Sequence, residues 1–270
     1  NPLARDRAER VRVARLIEAY EPLMAEHAFV AGVSALVVQG VSVPHGTLLH
    51  IGVPEPERAP RRRGIAGRMI APHLLEVLTY DGVRVATPAS AWAMSARELP
   101  EDELVRIGDQ IVRIPRDAYG RPRPERQLAN IADLCAAAKA GRRVGAARLS
   151  AALTRIRVGS MSPLETDGRL VISDAGLPEP ELDVEIRDSG GRLIGICDLV
   201  YRKQRVLIEV EGDHHRTDRA QWERDIVKYA GYAAAGWQLV RLTSTHIRGS
   251  HPSAPGVVRE ALARAGYPGV

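Results

Sequence analysis

Along this chain of 270 residues the apolar positions recur every three to four residues in some stretches and every second residue in others, and the changes of period outline its elements. Val11, Ala14, Leu16, Ile17, Tyr20 and Leu23 form a helical stripe among charges and predict an amphipathic helix over residues 6–26. Residues 29–40 predict a second, more buried helix that stops at Gly40. Residues 45–53 alternate as a strand does, and further strands are expected around 68–70 and 83–86. Between them, PEPERAPRRRG is rich in proline and arginine and reads as an exposed loop. Thr87 followed by Pro88 has the form of a cap with proline at the first helical position, so helices are expected over 88–97 and 100–112. IPRDAYGRPRPER, residues 114–126, reads as a linker, and two more helices are predicted at 125–140 and 144–156.

At Ser162 the pattern changes. Ser162-Pro163-Leu164-Glu165 places a hydroxyl cap, a proline and a glutamate where a helix start wants them, and Gly176 is the predicted stop. ELDVEIRD, GRLIGICDLVY and RVLIEVEG are three segments rich in Val, Leu and Ile, and Ser189-Gly190-Gly191 reads as the hairpin turn between the first two. A helix is expected over 218–235, with Trp222, Ile226, Tyr229 and Ala233 as its buried stripe, then the strand WQLVRLT and a closing helix over 255–265. The order helix, three-stranded meander, helix, strand predicts an α/β domain over residues 160–270. A mixed α+β domain over 1–115 and a linker with a helical connector over 116–159 are expected before it.

Composition narrows the class. Hydrophobic residues at 45% and charged residues at 26% are those of a folded globular protein. The longest uncharged run, residues 28–44, is interrupted by Gly, Ser and Gln and is too short to span a bilayer, so no membrane partner is expected. The opening segment has no uninterrupted apolar core of the secretory kind, which sets the expectation of a cytoplasmic protein. Cys135 and Cys197 are isolated in apolar settings and read as small buried hydrophobes rather than a disulfide or a zinc site. The net charge is +5, yet residues 160–249 hold fifteen acidic against twelve basic side chains, so the positive excess lies in the first half and the C-terminal tail. An arginine-rich half is compatible with phosphate contacts. Aromatic residues at 4% argue against stacking platforms for single strands, so double-stranded DNA is favoured as partner.

The candidate chemistry sits in RVLIEVEGDHHRTD. Residues two apart on a strand share a face, so Glu209 and Glu211 project to one side while Ile208 and Val210 fill the other. Antiparallel pairing with the preceding strand would bring Asp198 beside Glu209. Unpaired carboxylates so placed repel one another, and such clusters hold a divalent cation or pair with arginine. Oxygen-only donors suit Mg²⁺ or Mn²⁺. A solvated strand face alternates in the same way, so both readings stand on spacing alone.

Asp198, followed eleven positions later by Glu209-Val210-Glu211, resembles the PD-(D/E)XK nuclease superfamily. CDLVYRKQRVLIEVEGDHHRTDRAQWERDIVKYAGYAAAGWQLVRLT is similar, more narrowly, to the endonuclease-like domain related to very-short-patch mismatch-repair endonucleases; the likeness covers about residues 160–247. It implies a restriction-endonuclease-like fold and a metal-dependent DNA endonuclease. By the same resemblance Asp198 and Glu209 match the metal-binding acids, and Glu165 the acid on the first helix that completes their shell. Glu211 stands where the superfamily motif has lysine, a departure in which the carboxylate is either a further metal ligand or a proton acceptor. His215, next to His214, is the candidate general acid/base or water-positioning residue. Arg224 and Lys228 on the following helix are candidate phosphate contacts. FVAGVSALVVQGVSVP, LHIGVPEPE and VRVATPASAWAM resemble the N-terminal part of AbiEi-type antitoxin proteins. That likeness implies a winged-helix-like DNA-binding element with Arg61, Arg62, Arg63 and Arg68 near phosphate. The alternative from another class is a non-catalytic nuclease-fold DNA-binding protein, antitoxin-like or a transcriptional regulator, and an RNA substrate is not separated from DNA.

Overall fold

The computed structural model describes residues 2–212 and 219–269, the side chains of residues 2, 3 and 219–223 excepted. Two compact units emerge, one of Asn1–Arg113 with Pro124–Arg157 and the other of Ile114–Arg123 with Val158–Val270.

The first unit opens with α1 (Pro2–Tyr20), which starts before the expected helix and ends sooner. A single 3-10 turn at Glu21–Leu23 replaces its last turn, because Pro22 has no N–H to continue the α ladder. The helix expected over 29–40 is split into β1 (Phe29–Val30) and α2 (Gly32–Val38). Phe29 and Val30 pair antiparallel with Gly52 and Ile51 of β2 (Leu49–Pro54), and the positive φ of Gly32 lets the chain turn straight into α2. An uninterrupted apolar run carries no period to separate buried strand from buried helix. β3 (Ile65–Ile70), β4 (Val77–Tyr80) and β5 (Val83–Ala86) complete a five-stranded mixed sheet among the described residues, in the order β3-β2-β1-β5-β4. The edge strand β4 was not predicted; its four residues are half-buried or exposed and show no clean alternation.

Helices α3 (Pro88–Ser95), α4 (Glu101–Val112), α5 (Ile131–Lys139) and α6 (Ala146–Arg155) follow. Thr87 caps α3 as expected, its hydroxyl accepting the Ser90 N–H at 3.3 Å. The helix expected from residue 125 begins only at Ile131. There Asn130 and Asp133 form a reciprocal capping box, while Pro124–Arg126 makes one 3-10 turn. Trp92 is fully buried and donates from Nε1 to the Leu104 carbonyl at 2.9 Å, fixing α3 on α4.

The second unit runs α7 (Pro163–Asp174), β6 (Glu181–Arg187), β7 (Leu193–Tyr201), β8 (Val206–Glu211), α8 (Arg219–Ala234) and β9 (Gln238–Thr243), then the single turn α9 (Ser244–Ile247) and α10 (Ala254–Arg264). Apart from α9, this is the element order expected from residue 160 onward. The four-stranded sheet has the order β6-β7-β8-β9; the first three strands are antiparallel, and β9 joins parallel to β8. A parallel neighbour needs a crossover, which α8 supplies. The alternation of β8 decides the layers. Val206 and Ile208 join Leu199, Leu242 and residues of α7 and α10 in one cluster, while Leu207 joins Ile186, Val200 and Tyr232 of α8 in another. Both cysteines are free, with Cys197 buried and Cys135 half-buried. No helix among the described residues is long and apolar enough to cross a membrane.

Candidate acidic site on the four-stranded sheet

β7 and β8 pair through Tyr201–Val206, Val200–Leu207 and Leu199–Ile208. One step further the antiparallel expectation would set Asp198 opposite Glu209, but among the described residues the regular rungs stop at Leu199–Ile208. Instead, the Val210 N–H donates to Asp198 Oδ2 at 2.7 Å. On the other side, β6 pairs with β7 at Leu182–Leu199 and Val184–Cys197, and the skipped residue opposite Asp198 is Asp183, which has a φ of +52°. Cys197 and Leu199, two apart, lie in different clusters, so the strand's alternation breaks at Asp198. A left-handed aspartate opposite a broken alternation is the kind of local irregularity that re-aims a side chain.

Three elements bring acids to this point. Glu165 sits at the third position of α7, where its N–H donates to Ser162 Oγ at 3.2 Å. Its carboxylate accepts from the Ser162 hydroxyl at 2.8 Å and the Met161 N–H at 2.7 Å. Glu209 is 8% exposed, on the face of β8 that meets α8. Asp198 keeps partial solvent access, yet its carboxyl is hemmed in by protein. Burial first, then the charges of Glu165 and Glu209, push its pKa well above the ordinary carboxylate value. Burial likewise raises Glu165 to about 7, with Asp183 and Glu209 adding to the rise. Asp183 is a fourth acid nearby. Burial raises its pKa although Arg116 grips its carboxylate, with Nε 2.8 Å from Oδ2.

One cation reaches the cluster from α8. Lys228 Nζ lies 2.8 Å from Glu209 Oε1, and the Tyr232 hydroxyl donates to the same oxygen at 3.5 Å. The ammonium also stands 5.6 Å and 5.7 Å from the ring centres of Tyr229 and Tyr232. Gly195 of β7 makes this approach possible. A Cβ there would lie 2.6 Å from Tyr232 Oη and 2.8 Å from Lys228 Cδ. The expected stripe of α8 is therefore rotated: Ile226 is 47% exposed and Ala233 exposed, whereas Tyr232 is fully buried. Gly231 brings the helix close to Ile194, so the face presented to the sheet is set by small residues and not by the apolar stripe.

Glu211 projects to the same side as Glu209 but is held elsewhere. Arg241 of β9 engages both its oxygens, Nη2 to Oε2 at 2.8 Å, and the Tyr229 hydroxyl donates to Oε1 at 3.4 Å. Of the other candidates, Arg224 is exposed on α8, and Arg61, Arg62 and Arg63 are exposed in a loop of the first unit. His214 and His215 lie outside the described residues. Sequence reasoning placed Lys228 against phosphate and missed its place on Glu209; it also missed Asp183, Tyr232 and Gly195. A glycine inside an otherwise apolar strand was the available signal of a close approach.

No family model matches this chain, and no solved structure matches it. Two curated proteins of Mycobacterium tuberculosis are similar to part of it: "Uncharacterized protein MT2308" of strain CDC 1551 / Oshkosh and "Uncharacterized protein Rv2248" of strain H37Rv. Each is 31% identical over 87 residues, which is 32% of this chain and 32% of the relative. The chain thus spans about a third of the length of these curated relatives.

Proposed function

We propose that the second unit is a restriction-endonuclease-like domain that hydrolyses phosphodiester bonds of double-stranded DNA with the help of a divalent cation. The observation that carries this reading is that the charges of Glu165 and Glu209 both reach Asp198 at the break in β7, with the Lys228 ammonium 2.8 Å from Glu209. On this reading the positive group that the superfamily motif has at position 211 would be supplied from α8 by Lys228.

The donor set fits Mg²⁺ or Mn²⁺ in its chemistry. It is all carboxylate oxygen, and the charge of Glu165 raises the Asp198 pKa by more than the Lys228 ammonium lowers it. Among the described residues no three acids, histidines or cysteines are gathered closely enough to hold a metal ion, so a cation would have to draw these carboxylates together and take water and substrate as further ligands. Asp198, Glu209 and Glu165 would hold the cation, and Glu211, already paired with Arg241, would not. When bound, the cation would polarise a phosphoryl oxygen and acidify a water. Lys228, 2.8 Å from Glu209, is placed to donate to an anionic oxygen at the same spot. Glu165, with its pKa near 7, carries a proton part of the time at neutral pH and would surrender it to a cation.

The test is a titration of the full chain with Mg²⁺ and Mn²⁺, reading melting temperature, proton release and nicking of supercoiled plasmid. The expected result is stabilisation with about one proton released near pH 7 and nicking lost in Asp198→Asn. Metal binding without nicking would sink the enzymatic part; no binding at all would sink the site. A nuclease fold without chemistry, serving as a DNA-binding module, is the second reading. It is favoured by the lysine already paired with Glu209 and by the fact that no three candidate ligands are gathered for a metal among the described residues.

A further inference from the structure

The first unit contains a cavity of about 540 Å³ that is unrelated to the acidic site. Arg68 comes from β3, Arg97 from the turn after α3, and Arg142 and Arg143 from the loop before α6; all four line it. Their counter-charges are few: Arg68 pairs with Glu98, and Glu55 stands on the wall. Arg143 gives one long hydrogen bond from Nη2 to the Leu74 carbonyl, 3.4 Å, while its Nε is buried with no partner among the described residues. A buried donor left open in a well-packed wall calls for an acceptor. Burial and the neighbouring Arg97 depress the Arg68 pKa, and burial depresses that of Arg143, so both guanidinium groups are held in partly desolvated surroundings. His50 on the same wall is pushed down to about 4 by burial, then by His45 and Arg68, so it is neutral at pH 7 and can serve as a polar contact.

The arginine loop is held in place by glycines. A Cβ at Gly141 would lie 2.7 Å from His73 Nε2, and one at Gly145, whose φ is +86°, would collide with the Ala96 carbonyl. Both ends of the loop therefore lie against neighbouring backbone or side chains at distances only glycine allows, which orients Arg142 and Arg143 before any ligand arrives. The remaining wall is apolar, formed by Ile70, Leu74, Ala93, Met94 and Val144. The volume is that of a small-ligand pocket and far exceeds one inorganic anion. Several convergent guanidinium groups favour a phosphate monoester over a carboxylate, because its larger charge and three terminal oxygens can engage more than one guanidinium at once.

We propose that this cavity binds a small phosphorylated ligand of the nucleoside monophosphate class, its phosphate on Arg97, Arg142 and Arg143 and its planar body against the apolar wall. Glu55 and His73 supply an acceptor and a ring nitrogen for the polar edge of that body. The full chain is titrated with AMP, GMP, CMP, UMP and inorganic phosphate, and binding is read by melting temperature and calorimetry. At least one nucleotide should stabilise saturably by about 4 °C or more and bind at least about tenfold tighter than inorganic phosphate. Arg97→Ala and Arg142→Ala, both at exposed positions, should each weaken it about tenfold, while Asp198→Asn leaves it unchanged. Circular dichroism checks their folding, and Arg142→Gln replaces any alanine variant that fails to fold. The proposal is overturned if no nucleotide binds more tightly than phosphate, or if the arginine variants bind as the parent does. It is equally overturned if these variants lose only the binding of a double-stranded oligonucleotide, which would make the arginines part of a nucleic-acid surface.

Discussion

The acidic site of the second unit and the arginine cavity of the first are built on opposite signs of charge, and they differ in how the chain answers its own repulsion. At the sheet, Lys228 is brought onto Glu209 and Arg116 onto Asp183, so that part of the negative charge is met from within. Among the described residues Arg68 is the one arginine of the cavity with a carboxylate partner, and the Nε of Arg143 has no partner. Like charges gathered at one place cost stability unless something offsets them. A site that supplies part of its own counter-charge can stand empty at lower cost, and its ligand must compete with that counter-charge. A site without it is stabilised mainly by the ligand. The comparison therefore predicts a weaker, proton-coupled response to cations at the sheet and a plainer, charge-driven response to anions in the cavity.

The largest effect should come from Asp198→Asn, which keeps an acceptor for the Val210 N–H and removes one charge. Metal-dependent nicking should fall at least about 100-fold, while the metal-free protein melts at the same or a higher temperature because a repulsive neighbour of Glu165 has gone. A loss of stability in that variant would show that the acids do not strain one another. Next is Lys228→Met, which strips Glu209 of its ion pair. The cost should be about 2 kcal/mol, discounted for partial exposure, or several degrees of melting temperature, and Mg²⁺ should stabilise this variant more than the parent. If Mg²⁺ helps both equally, the lysine and the cation do not share the same charge.

Gly195→Ala should cost about 1–3 kcal/mol, since its methyl would meet Tyr232 and Lys228 at distances that force α8 outward; thermal melting reads it directly. The pH dependence comes next. Glu165 binds its proton more tightly folded than unfolded, so its contribution is fully present below about 4.5 and is lost as pH rises through about 7. Asp198, raised in the same direction, acts with it. The metal-free protein should lose stability over that window, and saturating Mg²⁺ should flatten the slope; an unchanged melting temperature between pH 5 and 8 would contradict the assignment. The smallest effect is expected from Arg97→Ala in ligand-free protein, a rise of about 1 °C from relieved repulsion on Arg68.

Much of the second unit was legible because its chemistry runs along strands and caps. The Ser162 cap, the Gly176 stop, the turn at 189–191 and the antiparallel pairing of β7 with β8 all follow from local rules, and the structure has them. The stripe of α8 was misjudged because Ile226 and Ala233 have the right spacing but the wrong side; Gly195 and Gly231 decide which face the helix offers. The strand within residues 29–40 and the edge strand β4 lacked any period that separates strand from helix or loop. The arginine cavity had no motif at all, since residues 68, 97, 142 and 143 meet only through a sheet, a turn and a loop.

The sequence by itself determined the order of elements from residue 160, apart from the single turn α9, and the alternation that puts Glu209 and Glu211 on one face. These are properties of period two, period 3.6 and capping chemistry, which act over a few residues. Only the tertiary structure decided that Glu211 is drawn away by Arg241, that Lys228 crosses over Gly195 to reach Glu209, and that Arg68, Arg97, Arg142 and Arg143 surround one cavity. Charges interact through space, and their neighbours along the chain say little about which of them will be brought within a few ångströms of each other.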